Sequence, residues 1–207
     1  MSNETRPYRK KRRAELEEQT RLRITESAVE LHGTLGPSRT SVSAIAEHAG
    51  VPRSTVYRHF ADEAALFAAC SAHWRAANPP PDLEAWAAID DPDERLRTGL
   101  EQLYAFFRRT QAMMDNLHRD EAIVPTVERT FSNFRGYLAA ARDTLLRGRG
   151  RAPRRVRAAI GHAVAYPTWR SLAVDQGLDD AAAAALMCDL LAATRPPSPP
   201  PAPRSRA

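Results

Sequence analysis

The chain has 207 residues, of which 43% are hydrophobic and 27% charged, with a net charge of +5 and a pI near 9.7. This composition predicts a globular protein of one or two domains, and the positive charge permits a nucleic-acid partner without requiring one. Because no apolar run has the length of a membrane span and the basic N-terminus lacks an apolar signal segment, we expect no membrane association and a cytoplasmic location.

Residues 1–13 are rich in basic side chains and contain almost no apolar ones. This pattern predicts a disordered basic arm. Two interpretations stay open, a solvated tail or an arm that contacts phosphates or the minor groove of DNA. An amphipathic helix is predicted to follow, from Ala14 to about Leu35, and Gly36 with Pro37 ends it.

The segment Ser41–Phe60 has the pattern of a helix-turn-helix, in which the second helix enters the major groove of DNA. Two short helical patterns flank Gly50, which supplies the positive φ that a tight turn requires. Ser41 is predicted to cap the first helix through its hydroxyl, and the second helix starts at Pro52 or Arg53. The apolar residues that should face the core are Ile45, Ala46, Ala49, Val56 and Phe60.

The run from Ile24 to Leu66 resembles the DNA-binding domain of the TetR (tetracycline repressor-like) family. The matching positions are Ala28, Leu31, Gly36, Ser41, Val42, Ile45, Ala46, Ala49, Gly50, Val51, Tyr57, Arg58, His59, Phe60 and Leu66. The resemblance implies that Arg53 and Thr55 contact base edges. It also implies that Tyr57 and His59 contact backbone phosphates, although these two side chains would equally suit a role in capping the small core.

The full set of predicted DNA contacts follows from the outward positions of the second helix and the hydroxyls at the start of the first. Hydroxyls, free amides and the helix dipole at a helix N-terminus suit a phosphate. The predicted contact residues are Ser41, Ser43, Arg53, Ser54, Thr55, Tyr57, Arg58 and His59.

Two positions depart from the family pattern. Pro52 stands where the family often has serine, so one phosphate-binding hydroxyl is absent. Asp62 and Glu63 stand where the family frequently carries a lysine that binds phosphate at the start of the fourth helix. Acidic residues suit the helix dipole but repel the DNA backbone, and we hypothesise that the basic arm compensates.

The predicted fold is all-α, an N-terminal three-helix helix-turn-helix domain followed by a C-terminal antiparallel helical bundle, with about nine helices in total. In the second part, helices are predicted over about 92–110, 111–120, 125–147, 153–176 with a kink at Pro167, and 180–194. The predicted organisation is a disordered basic arm over 1–13, a DNA-binding domain with the linking fourth helix over 14–78, an effector-binding and dimerisation domain over 79–194, and a disordered proline-rich tail over 195–207.

Large side chains recur along the helices of the second part. In the TetR family such helices enclose an effector pocket, so the resemblance implies a pocket for a small apolar or aromatic effector. The alternative is that these side chains form the core, which is the usual fate of aromatic residues at helical spacing. The candidates are Trp74, Tyr104, Phe107, Met113, Phe131, Phe134, Tyr137, His162, Tyr166 and Trp169.

The sequence contains no catalytic motif, so we predict no catalytic residues, no cofactor and no enzyme activity. His118, Asp120 and Glu121 lack a second matching pair and are not expected to hold a metal. The small and apolar faces of the last two helices suit a four-helix interface in a homodimer, as the resemblance implies. We therefore expect a ligand-responsive, homodimeric transcriptional repressor that binds a palindromic operator in double-stranded DNA. A regulator without a small-molecule effector, an activator and a helical enzyme are the alternatives.

Overall fold

The computed structural model describes residues 5–149 and 154–193, and all regular structure in these two ranges is helical. The all-α prediction is thereby confirmed, and the predicted tail at 195–207 lies outside the described residues. The α-helices are α1 Thr5–Thr34, α2 Val42–His48, α3 Arg53–His59, α4 Glu63–Ala77, α5 Leu83–Ala87, α6 Pro92–Asp120, α7 Pro125–Leu146, α8 Arg154–Ala163, α9 Tyr166–Arg170 and α10 Asp180–Ala193, with a 3₁₀ turn at Pro37–Arg39 and a π turn at Ser171–Asp175.

The chain divides into two compact units. Among the described residues, the first unit comprises 5–80 and 109–135, and the second comprises 81–108, 136–149 and 154–193. Helices α6 and α7 each contribute residues to both units.

The basic segment, residues 5–13, is helical, whereas the sequence suggested a disordered arm. Arginine and lysine are good helix formers, and they occupy most of this stretch. Two ion pairs at i,i+4 spacing support the helix, Lys11 with Glu15 at 4.0 Å and Arg13 with Glu17 at 3.1 Å. The expectation of disorder is therefore wrong from Thr5 onward.

Helix α6 is one uninterrupted helix, not the two that were predicted to meet between Thr110 and Gln111. No glycine or proline occurs between Leu100 and Asp120, so nothing in the backbone forces a break. The buried side chain of Thr110 continues the apolar face of the helix across the predicted boundary.

The predicted kink near Pro167 is a complete break between α8 and α9. The backbone leaves the helical conformation at Ala165, with φ −78° and ψ 135°. Proline has no N–H to donate to the carbonyl of Ala163 four residues earlier. That carbonyl instead accepts a hydrogen bond of 2.9 Å from the hydroxyl of Tyr104. The hydroxyl of Tyr104 thus satisfies the buried carbonyl that Pro167 leaves without a donor.

Helices α1 to α4 share one small core in the first unit. Ala46 is 3% exposed, which fits the close helix crossing that its small side chain predicts. The members of this core are Ile24, Ala28, Val42, Ile45, Ala46, Ala49, Val56, Phe60, Leu66 and Cys70. Because α3 contributes only Val56 to this core, with Phe60 directly after it, its orientation depends on what holds its ends.

Candidate nucleic-acid interface

Helix α2 begins as the sequence predicts. The hydroxyl oxygen of Ser41 accepts a hydrogen bond of 3.1 Å from the backbone N–H of Ala44, which satisfies one of the free donors at the helix start. The side chains of Ser41 and Ser43 are both exposed. Ser41 accepts with a lone pair, so its own O–H remains available to donate to a phosphate.

The turn between α2 and α3 depends on Gly50. Its φ of +63° lies in the left-handed region that favours glycine. The N–H of Gly50 donates to the carbonyl of Glu47 at 3.0 Å, and the N–H of Val51 donates to the carbonyl of Ala46 at 2.9 Å. These two bonds close the C-terminus of α2 and fix the direction in which α3 departs.

Helix α3 has one buried and one exposed face. Val56 and Phe60 are 1% and 2% exposed, as predicted. Thr55 is buried as well, which contradicts its predicted outward position. The reason is helical geometry, because adjacent residues are only about 100° apart on a helix and the apolar arc around Val56 extends over its neighbour. A base contact from Thr55 is therefore not supported. The exposed side chains are Arg53, Ser54, Tyr57 and Arg58.

Arg53 and Tyr57 form a pair on the exposed face of α3. A guanidinium nitrogen of Arg53 donates to the hydroxyl of Tyr57 at 3.2 Å, and the guanidinium carbon lies 5.5 Å from the centre of the tyrosine ring. The two residues are four apart and therefore neighbours on the helix surface. The pair presents a guanidinium and a phenol hydroxyl at one place, which suits a base edge and an adjacent phosphate.

His59 is only partly exposed, and its Nε2 atom is buried without a hydrogen-bond partner among the described residues. Burial lowers the pKa of His59, and the positive charges of Arg58 and Arg21 lower it further. The ring is therefore neutral near pH 7. A phosphate contact through Nε2 requires the ring to turn outward, so the geometry favours the core-capping interpretation of His59.

Arg21 on α1 holds the end of α3, and sequence reasoning did not identify it. Its guanidinium donates to the backbone carbonyl of His59 at 2.6 Å and lies 4.3 Å from the centre of the Phe60 ring. A cation at a helix C-terminus satisfies a free carbonyl and complements the helix dipole. Arg21 therefore fixes the position of α3, although 38 residues separate it from the carbonyl that it contacts.

The acidic pair at the start of α4 has a structural role. A carboxylate oxygen of Asp62 accepts a hydrogen bond of 2.7 Å from the backbone N–H of Ala65, which makes Asp62 the cap of this helix. Glu63 lies in the first turn, where a negative charge suits the helix dipole. The position that carries a phosphate-binding lysine in the resembled family is thus used here to stabilise α4.

The C-terminal end of α6 binds the end of α1. Asn116, Arg119 and Asp120, which we call the α6 cap, make these contacts. The amide of Asn116 donates to the carbonyls of His32 at 3.1 Å and Gly33 at 2.8 Å. These bonds satisfy backbone carbonyls at the C-terminus of α1.

Arg119 and Asp120 extend the same connection into the turn after α1. Arg119 donates to the carbonyl of Leu35 at 2.8 Å, and a carboxylate oxygen of Asp120 accepts the N–H of Ser38 at 2.9 Å. The carboxylate of Asp120 is fully buried, and the guanidinium of Arg119 lies 2.8 Å from it. No group of three or more histidine, cysteine or acidic residues within 5–149 and 154–193 is arranged to hold a metal.

The predicted effector-pocket residues fall in both units. Trp74, Met113, Phe131 and Phe134 belong to the first unit, and Tyr104, Phe107, Tyr137, His162, Tyr166 and Trp169 to the second. Within the second unit, Phe107 contacts Tyr166 and Trp169 with ring centres 5.3 Å and 5.8 Å apart, and Tyr104 lies beside it at 6.3 Å. These four side chains are at most 2% exposed. They are core, whereas His162 is exposed.

Residues 24–70 match the family model described as bacterial regulatory proteins, tetR family. No curated protein matches the sequence. Solved structures with the same fold include a putative TetR-family transcriptional regulator from Mesorhizobium loti, with a TM-score of 0.61, 17% identity, and coverage of 86% of this chain and 96% of that one.

Two further structures share the fold. FadR from Bacillus subtilis in complex with stearoyl-CoA has a TM-score of 0.57 at 20% identity, with 82% of this chain and 96% of that one covered. The multidrug binding protein EbrR complexed with imidazole has a TM-score of 0.52 at 22% identity, with 89% and 97% covered. No helix in the described ranges is both long and apolar enough to cross a bilayer. Residues 24–70 thus match the DNA-binding domain of tetR-family bacterial regulatory proteins, and the chain shares the overall fold of these solved structures.

Proposed function

We propose that this chain is a TetR-family transcriptional regulator, a homodimeric, ligand-responsive repressor that places one α3 helix of each subunit in successive major grooves of a palindromic operator. The observation that carries the proposal is the pairing of Arg53 with Tyr57 on the exposed face of α3, while Val56 and Phe60 anchor the opposite face. Two-fold symmetry of the dimer would match two half-sites about one helical turn apart or somewhat more.

Arg53 is proposed to determine operator sequence. A guanidinium can donate two hydrogen bonds to the O6 and N7 atoms of guanine, and such a pair contributes about 1–3 kcal/mol of discrimination. Ser41, Ser43, Ser54 and Arg58 are exposed around it and would donate to phosphates. The hydrogen bond from Arg53 to Tyr57 orders the guanidinium before DNA binds, which lowers the entropic cost of the contact.

The basic segment is proposed to bind phosphates as a helix. The side chains of Arg9, Lys10, Arg12 and Arg13 are exposed on the first turns of α1. They would supply the cationic contact that Asp62 and Glu63 do not make at the start of α4. Replacing Arg9, Lys10 and Arg12 with glutamine should weaken binding to all DNA sequences alike and reduce the salt slope by about 0.9 for each phosphate that the variant no longer neutralises.

The control for this measurement is Arg23→Gln, which removes an exposed arginine farther along α1. An unchanged salt slope in the triple variant would show that the basic segment makes no phosphate contact.

Dimerisation is proposed to use α8 and α10, which contact each other in the second unit. Helix α10 is rich in alanine and exposes Leu186 and Leu190, which are 37% and 52% exposed. Small and apolar residues on two adjacent helices suit an isologous four-helix interface. We accordingly assign residues 79–194 to dimerisation and effector binding, and 14–78 to DNA binding.

A small apolar or aromatic effector is supported by the ligands of two proteins with this fold, stearoyl-CoA in FadR and imidazole in EbrR. An effector can change operator affinity only if it binds the DNA-competent and DNA-incompetent states with different affinities. A regulator without an effector remains the second candidate. Thermal unfolding with a ligand panel separates the two, because a ligand that binds the folded state raises the melting temperature.

The deciding experiment measures binding to the DNA upstream of the chain's own gene by fluorescence anisotropy, with scrambled DNA of equal length as competitor. Arg53→Ala should lose roughly ten- to hundredfold of its preference for the operator, as expected when one bidentate base contact is removed. Light scattering should report an unchanged dimer. If the Arg53→Ala protein keeps its full preference for the operator, Arg53 is not the specificity residue.

A further inference from the structure

A cavity of about 320 Å³ that opens to solvent lies in the first unit, and no residue of α3 lines it. Its volume is within the range of small-molecule sites in proteins. None of the predicted effector-pocket residues lines it. The lining residues are His32, Pro37, Thr40, Val42, Ile45, Glu63, Leu66, Phe67, Val124, Pro125 and Thr126.

The walls of this cavity are mostly apolar and come from several parts of the first unit. Val42 and Ile45 belong to α2, Leu66 and Phe67 to α4, and Val124 to the turn between α6 and α7. The remaining walls come from the end of α1, the 3₁₀ turn and the start of α7. An apolar group of a ligand would therefore contact α2 and α4 at once.

The charge of the cavity comes from Glu63, which is the one carboxylate among the lining residues and is exposed. The nearby charges of the α6 cap offset each other, because Arg119 lies 2.8 Å from the buried carboxylate of Asp120. His32 is the other titratable lining residue, and burial lowers its pKa to about 4, so that it is neutral near pH 7. The hydroxyls of Thr40 and Thr126 add two groups that can accept or donate a hydrogen bond.

We propose that this cavity binds a small amphipathic organic cation, with its apolar body between α2 and α4 and its ammonium group at the carboxylate of Glu63. A cation beside Glu63 would gain an ion pair, which the positive end of the α4 dipole weakens, and the apolar body would gain contact with Ile45 and Leu66. This site is distinct from the effector pocket proposed among the large side chains, because none of those side chains lines it.

Occupancy of the cavity restrains α4 relative to α2. Both helices contribute to the core that positions α3, through Ile45 and Leu66. A ligand in contact with both helices therefore favours one arrangement of the DNA-binding unit over others, and DNA affinity changes with it.

The test uses two probes of equal size, 2-phenylethylammonium and 2-phenylethanol, titrated into the full chain while methyl resonances are followed by NMR. The ammonium probe should shift the methyl signals of Val42, Ile45, Leu66 and Val124, and should bind several-fold more tightly than the alcohol. Glu63→Gln should lower the affinity for the ammonium probe by about threefold, which is typical of the loss of a solvent-exposed ion pair. The affinity for the alcohol should be unchanged.

The matched control is Glu84→Gln, which removes a glutamate from the first turn of α5, outside the cavity. This variant should bind both probes as the wild-type chain does. A second variant, Thr126→Phe, fills the cavity and should abolish binding of both probes, whereas Ser132→Phe on an exposed part of α7 should not.

Equal affinities for the two probes, the absence of shifts at the cavity methyl groups, or retained binding in Thr126→Phe would overturn the proposal. The titration contains no DNA. A negative result in the titration would therefore contradict only the cavity proposal, and a negative result in the operator assay would contradict only the DNA-binding proposal.

Discussion

The two units differ in where their aromatic side chains lie. The first unit keeps a small core of mostly aliphatic residues and exposes Tyr57 beside Arg53 on α3. The second unit encloses Tyr104, Phe107 and Trp169 completely, with each at 0% exposure. An aromatic pattern in a sequence therefore does not by itself distinguish a binding surface from a core. In the first unit the exposed Tyr57 interacts with a basic side chain, Arg53, whereas in the second unit the buried aromatic residues contact one another.

The largest expected effect is the removal of a central ring from the second unit. Phe107→Ala leaves a cavity among Tyr104, Tyr166 and Trp169, and should lower the free energy of unfolding by about 3–5 kcal/mol. Urea denaturation followed by circular dichroism measures the change. Tyr57→Ala is the comparison in the first unit, since its side chain is 39% exposed, and should change stability by about 0.5 kcal/mol or less. Equal effects in the two variants would contradict the contrast between core and surface.

The next largest effect is a loss of folding stability at acid pH, which we expect from His32 in the first unit. Burial lowers the pKa of His32 from 6.5 to about 4, an effect that the negative charge of Asp120 partly offsets. The unfolded chain then binds more protons than the folded chain between these two values. The stability that neutral His32 contributes is fully present above about pH 6.5 and decreases as the pH falls toward 4, by up to about 3 kcal/mol.

His32→Phe should flatten the pH dependence of the unfolding free energy between pH 6.5 and 4. A profile that is identical in wild type and His32→Phe would mean that His32 is protonated without cost in the folded chain.

A pair of glycines gives the smallest effect and the sharpest test of the α6 cap. Gly36 has φ +94° and ψ 156°, a region that almost only glycine adopts, and an added Cβ would lie 1.9 Å from Arg119 and 2.7 Å from Asp120. Gly36→Ala should therefore cost about 1–3 kcal/mol of backbone strain, with a further cost from displacement of the Arg119 side chain.

The matched comparison is Gly50→Ala, because Gly50 also has positive φ but has nothing within 4 Å of the added Cβ. It should cost about 1–2 kcal/mol, the penalty for a left-handed alanine. Chemical denaturation of the two variants measures the difference, and equal costs would show that the α6 cap adapts freely to a side chain at position 36.

The sequence was sufficient to predict the features of the helix-turn-helix that depend on near neighbours. Ser41 caps α2 by accepting a hydrogen bond from the N–H three residues later, and Gly50 forms the turn between two short helices. Val56 and Phe60 are buried on the same face because they are four residues apart. Each of these features follows from helix geometry and the chemistry of one side chain. The all-α class follows in the same way from apolar periodicity.

What the sequence did not indicate depends on contacts between distant segments. Arg21 reaches a carbonyl 38 residues away, and Asp120 accepts an N–H from Ser38 at a separation of 82 residues. No spacing rule connects such residues, so a single sequence leaves them as ordinary polar side chains on predicted helices. The burial of Thr55 and the continuity of α6, by contrast, follow from local helix geometry and from the absence of glycine and proline between Leu100 and Asp120.

The hydrogen bond from Tyr104 to the carbonyl of Ala163 has a consequence for how sequences with this fold can diverge. The residues at positions 167 and 104 depend on each other, because proline at 167 has no N–H to donate to the carbonyl of Ala163 and the hydroxyl of Tyr104 donates to it instead. In a homologous chain whose helix runs unbroken through 165, an ordinary residue at 167 donates its amide to the carbonyl of residue 163, and the hydroxyl is not needed. In such a lineage phenylalanine should replace tyrosine at 104, and substitutions at the two positions should occur together.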